Sequence, residues 1–131
     1  MREELDNKLV EAFPHLYRDR SKSLYESCMG RGFETGDGWF QIIWDLSEAL
    51  EKDILSLPED QRQHYCAAQV KEKFGILRYY MTTSTTRMEE LIQEAENKSA
   101  ITCEVCGKPG SLQGTGWWYT ACEEHTTEKK R

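Results

Sequence analysis

The stretch from Cys103 to His125 constrains this chain most. It holds Cys103-Glu-Val-Cys106-Gly107 and Cys122-Glu-Glu-His125, two pairs with two residues inside each, and fifteen residues separate Cys106 from Cys122. Three thiolates and one imidazole at this spacing can close a tetrahedron around Zn²⁺ without a ligand from elsewhere. Gly107 supplies permissive dihedrals just after the second ligand, so the backbone can fold under two sulfurs and turn its N–H groups toward their charge. Lys108-Pro109-Gly110 and Gln113-Gly114-Thr115-Gly116 are turn chemistry. They leave strand candidates at 111–113 and 117–121, which predict a hairpin. Cys122 to His125 then begins a helix, with Glu123 and Glu124 favourable near its positive end. Knuckle, hairpin and helix start predict a treble-clef-like lobe, with a zinc ribbon as the alternative.

The expected ion is structural, because the motif fills all four coordination positions whereas catalytic zinc keeps one open for water. A deaminase would need H-x-E ahead of P-C-x-x-C, and the chain has neither. The competing reading is a set of free buried thiols with a surface histidine. Against it stand the double spacing, the glycine after the first pair, and a segment with too few apolar residues to fold unaided. Disulfides fit less well, since the cysteine count of 5 is odd. The charged start Met1-Arg-Glu-Glu predicts no signal peptide and hence a reducing cytoplasm.

At 131 residues the chain is long enough for one compact unit and short for two. The expected class is α+β: a small helical body with a short β-hairpin over residues 1–100, and a zinc-knuckle lobe with a basic tail over 101–131, packed together. No apolar run approaches a membrane span. The formal charge of -6 gives no general attraction to phosphate backbones, so nucleic acid is not the default partner.

Along the chain, Leu5, Leu9, Val10 and Phe13 have helical spacing, and Pro14 stops that helix. Leu16, Tyr17, Leu24, Tyr25 and Cys28 allow a second helical face, with Arg18, Arg20, Lys22 and Arg31 as its solvated side. Gly36-Asp37-Gly38-Trp39 precedes a clear helical pattern of Trp39, Ile42, Ile43, Leu46 and Leu50. Asp37 reads first as the N-cap of that helix, and second, with Trp39, as the rim of a ligand or cation site. Pro58 ends the helix and Glu59 to His64 is a polar connector. Residues 66–81 mix β-branched and aromatic residues around Phe74-Gly75, which predicts a hairpin turning there, with a bulged single strand as the alternative. Lys71, Lys73 and Arg78 with Tyr79 and Tyr80 form a candidate base or phosphate surface; the plainer reading is an antiparallel pair with one charged face. Thr86 and Glu89 are spaced as a capping box for a helix that reaches about Lys98 and packs on the knuckle through Ile101. Thr126 to Arg131 should fray.

Three blocks in order, Gly36-Asp37-Gly38-Trp39-Phe40, then Gln69 to Gly75 with Leu77-Arg78-Tyr79, then Cys103 to Gly110 with Trp117 and Cys122 to His125, carry a resemblance. Over roughly residues 33–125 the chain resembles a family of small uncharacterised zinc-binding proteins of bacteriophages and bacteria. Ile76 stands where that pattern often has a second glycine. The resemblance implies a phage or prophage setting and no particular activity. The expected function is therefore a zinc-stabilised, non-enzymatic protein that binds or modulates a host protein, with Trp117-Trp118 as core packing or as an interface hot spot. The alternative is a nucleic-acid or small-nucleotide-binding module using Lys71 to Tyr80. A hydrolase or nuclease is disfavoured, because His15 and His64 are isolated and no further histidine motif accompanies the metal ligands.

Overall fold

A computed structural model of the protein describes residues 1–114 and 116–129, with side chains through Thr126. Helix α1 (Glu3–Ala12) turns Leu9 inward, and Phe13 follows it into the core. Its one buried acid, Asp6, receives Arg20 Nε and Nη2 at 3.0 and 3.3 Å. Strand β1 (Phe33–Glu34) leads into α2 (Phe40–Ser56), the longest helix, which buries Ile43, Leu46, Leu50 and Ile54 at helical spacing. A short turn of helix, α3 (Glu59–Arg62), stands within the expected connector. Strands β2 (Ala67–Lys73) and β3 (Ile76–Met81) form the hairpin, and α4 (Thr86–Ser99) packs on α2 and β3. The metal lobe follows as β4 (Ser111–Gln113), β5 (Tyr119–Ala121) and α5 (Glu123–Lys129). The fold is α+β. Among the described residues, no helix is long and apolar enough to cross a membrane.

The hairpin turns at Phe74 and Gly75 with φ of 55° and 81°. Positive φ at both central residues is what a two-residue type I′ turn requires, so Ile76 at the third position needs no glycine. The bulge of the alternative reading also exists, but at Ala67 to Gln69. One strand escaped the sequence. Phe33 and Glu34 pair in parallel with Val70 and Lys71, making a three-stranded sheet of order β1-β2-β3. Two residues are too few to show a period.

Several local expectations are corrected. Residues 15–31 form no α-helix but two 3₁₀ turns, Arg18–Ser21 and Cys28–Arg31, and Leu24 and Tyr25 face solvent. Three of the four basic residues there make cross-links, while Arg31 is exposed as expected. Arg18 donates to the carbonyls of His15, Arg62 and Tyr65, Arg20 binds Asp6 and the Gly30 carbonyl, and Lys22 pairs with Asp19. The capping hydroxyl of α4 belongs to Thr85, which accepts from the Met88 N–H at 3.2 Å; Thr86 is already helical. Thr126 to Lys129 continue α5 instead of fraying, and Lys130 and Arg131 lie outside the described residues.

The main core gathers Leu9, Leu16, Met29, Phe33, Trp39, Ile43, Leu50, Val70, Leu77 and Met88 between the helices and one sheet face. Within it, the Tyr79 hydroxyl donates to Tyr17, which is hydrogen-bonded to Ser47, which in turn donates to the Ile43 carbonyl. Buried Glu51 accepts the Leu16 N–H at 2.8 Å and meets His15 Nδ1 at 3.1 Å. Every polar group in these chains has a partner, which is the condition for burying it cheaply.

Candidate metal centre

The turn after Cys103 builds a knuckle: the Gly107 N–H donates to the Cys103 carbonyl at 2.9 Å, and the Cys103 N–H to the Lys108 carbonyl at 2.8 Å. Gly107 sits at φ 82°, the left-handed region that the CxxC-Gly spacing anticipates. Strands β4 and β5 pair antiparallel from Ser111–Ala121 to Gln113–Tyr119, as the two flanking turns predict. Helix α5 starts immediately after Cys122, and His125 lies in its first turn with its N–H on the Cys122 carbonyl. Knuckle, hairpin and helix take the treble-clef arrangement.

These elements bring the ligand atoms of Cys103, Cys106, Cys122 and His125 within 4.8 Å of one another. Cys103 Sγ and Cys122 Sγ lie 3.4 and 3.3 Å from His125 Nδ1, and Cys106 Sγ lies 3.7 Å from Cys122 Sγ. A tetrahedral ion with bonds of about 2.3 Å to sulfur holds its sulfurs about 3.8 Å apart, and with about 2.1 Å to nitrogen its S–N edges are about 3.6 Å. These three edges match that polyhedron to a few tenths of an ångström, and the remaining ones lie within 4.8 Å. All five cysteines are free thiols, and none of the four ligands is diverted into a disulfide.

The electrostatics also call for a cation. At Cys103 burial works against the thiolate, but N–H groups of Cys122, Cys106 and Val105 outweigh it and bring the thiol down to about 6. At Cys106 the Lys108 N–H favours the thiolate, yet burial and the neighbouring sulfurs of Cys122 and Cys103 prevail and push it up. His125 is pushed up by its contacts with Cys122 and Cys103. The neighbouring sulfurs disfavour ionisation of Cys106, and a divalent ion among them would offset that repulsion. The residues fit a metal ion.

The supports of the lobe come from the two other sequence blocks. Gly36 N–H donates to the Glu104 carboxylate at 2.8 Å, and Gly38 N–H to the Glu104 carbonyl at 2.7 Å. A Cβ on Gly38 would meet the Cys103 carbonyl oxygen at 2.2 Å, so only glycine lets the two backbones meet. Trp39 is fully buried and its indole donates to the Thr102 carbonyl at 2.8 Å. From the other side, the Gly75 carbonyl accepts the Thr120 hydroxyl at 2.7 Å, and a Cβ there would strike Tyr119 and Leu112.

This geometry revises the roles of the candidate residues. Asp37 is not the N-cap of α2, whose first turn has no side-chain cap; its carboxylate accepts the Arg2 N–H at 2.8 Å and pairs with Arg2 Nε at 3.3 Å, so it holds the start of α1. Trp39 is a strut and not a rim. Ile101 is largely exposed, and α4 is tied to the start of the knuckle by Thr102, whose hydroxyl donates to the Lys98 carbonyl at 2.7 Å. Tyr79 is buried, while Lys71, Lys73, Arg78 and Tyr80 lie on the outer hairpin face. The cleft beside the knuckle takes Asp37 and Gly38, and a separate one takes Phe74 and Ile76. Comparisons with family models, with curated proteins and with solved structures give no match.

Proposed function

We propose that the protein is a non-enzymatic interaction module, built on a structural Zn²⁺, that acts on a component of a host cell in a phage or prophage setting. The single observation behind the zinc reading is the closed set of four ligand atoms, three sulfurs and one nitrogen, at tetrahedral spacing with none of its positions left for a reactant. The setting, and a place in the host cytoplasm, rest on the resemblance of the three ordered blocks. The ion's role is scaffolding, because its first neighbours are spent on docking: Thr102 and Glu104 grip Trp39, Gly36 and Gly38, and Thr120 grips the hairpin turn. A host protein is the partner that the acidic net charge favours, and a nucleic acid is the partner that the local cations of the hairpin favour.

Metal analysis of the purified protein should give one zinc per chain, and Cys106→Ser should release it and loosen the C-terminal lobe. Iron or an empty site in the native protein, or a Cys106→Ser variant whose lobe stays as ordered as the parent, would sink the scaffold reading.

A further inference from the structure

The hairpin register places Gln69, Lys71 and Lys73 opposite Tyr80, Arg78 and Ile76 on one face of the sheet, the face turned away from buried Val70, Leu77 and Tyr79. Among the described residues, none of the three cations there forms an ion pair, although the chain as a whole carries -6. Glu34 is an acidic neighbour on this face, in register with Lys71. Glu96 of α4 is spent on the Tyr79 N–H at the sheet edge, at 3.1 Å, and charges farther than about 8–10 Å are screened at ordinary ionic strength, so the three cations set the local sign of the face.

Aromatic rings flank these cations. Lys71 Nζ stands 6.0 Å from the centre of the Tyr80 ring, and Lys73 Nζ 5.5 Å from that of Phe74. Tyr80 is 45% exposed, Phe74 61% and Trp118 42%. Phe74 is notable because it occupies a positive-φ turn position where Asn, Asp or Gly is the easier residue. Its ring is held out in solvent by a strained backbone, which points to use and not to packing. At the end of the face, Phe74 and Ile76 meet Leu112, Gly116 and Trp118 of the metal lobe around a shallow cleft of about 340 Å³.

We infer that this face, with Lys71, Lys73 and Arg78 for phosphates and Tyr80, Phe74 and Trp118 as stacking platforms, binds single-stranded nucleic acid. It deepens the scaffold reading above and depends on it, since the metal lobe supplies Trp118. A protein partner is better served by a continuous apolar centre with charges at the rim. Here the three cations form a continuous track with a ring at either end, Tyr80 beside Gln69 and Phe74 beyond Lys73, so phosphates have a charged path and bases at its ends have a face to stack on. Gln69 to Lys73 spans about 13 Å at about 3.3 Å per residue, room for a few nucleotides, with the cleft extending the track.

The test is fluorescence anisotropy of a labelled oligothymidine of about ten nucleotides with the zinc-loaded full chain. Saturable binding should weaken with salt, with a log–log slope near -2 for about three neutralised phosphates. The Lys71→Glu/Arg78→Glu double variant should lose binding at least about tenfold, Trp118→Ala about tenfold, and Lys52→Glu on the far helix less than about twofold. Glu34→Gln should bind more tightly, a gain that a misfolded variant cannot mimic. A folded, zinc-loaded protein that does not bind at low salt, or whose binding ignores the double substitution, would overturn the nucleic-acid assignment and leave the scaffold standing. Equal competition by polyglutamate would reassign the face to acidic polypeptides. Loss of binding on chelation, with the lobe still ordered, would instead count against the scaffold.

Discussion

Tyr17 and Tyr79 illustrate how far single residues here depend on their surroundings. Both are buried and joined through their hydroxyls, with Ser47 closing the chain. Burial pushes both phenols above their ordinary value of 10.0, partly offset at Tyr17 by the bonds from Ser47 and Tyr79; the Tyr17 oxygen adds to the rise at Tyr79. A raised phenol favours folding fully below the unfolded value of about 10 and loses that contribution as pH climbs toward the folded one. Of the 6 tyrosines, these two should therefore ionise only as the protein unfolds, seen as a late, cooperative step in tyrosinate absorbance above about pH 10. Two early, independent steps would refute it. Gly38 makes a second point at this scale. Gly38→Ala must force its Cβ off the Cys103 carbonyl, and urea unfolding should show a loss of about 3 kcal/mol.

Among the elements, those with a strong period were legible in the sequence and those fixed by distant partners were not. Helices α1, α2 and α4 follow from apolar spacing, and the two hairpins from turn residues that flank β-branched or aromatic runs. The metal ligands were legible because their spacing is itself the geometry. Asp37 was misassigned because a carboxylate before a helix usually caps that helix, whereas the Arg2 N–H, 35 residues away, reaches it first. Glu51 and Asp6 gave no signal either, since each buried acid is explained only by groups far along the chain. The joint between α2 and the knuckle was equally hidden: Trp39 fits the apolar pattern of α2, but nothing in the spacing tells that its indole donates to the Thr102 carbonyl. Trp39→Phe removes that donor, leaves the carbonyl unpaired and opens a small void. The expected cost is about 2–3 kcal/mol in denaturant unfolding, with zinc content unchanged.

At the scale of the molecule, two cores of unequal strength share one chain. The body has an extensive cluster running from Leu9 to Ala95, whereas the lobe's own cluster is only Cys103, Tyr119, Ala121 and Cys122. Two members of the smaller cluster, Cys103 and Cys122, are candidate metal ligands, so its burial and the proposed metal site are coupled. Structural zinc can contribute roughly 10–16 kcal/mol of apparent binding free energy, far more than so few apolar side chains supply. Chelation should consequently unfold the lobe and spare the body. In hydrogen exchange, residues 101–126 should lose protection after a strong chelator, and so should the Gly38 N–H, whose acceptor is the Glu104 carbonyl. The turn of the β2–β3 hairpin should loosen as well, because Gly75 is wedged against Tyr119 and bonded by Thr120. Amides in the centres of α2 and α4 should keep most of theirs, since their core contains no residue of the lobe. Equal loss throughout would mean one cooperative unit, with the metal as part of the main core; no loss would mean that the lobe folds on its apolar contacts alone.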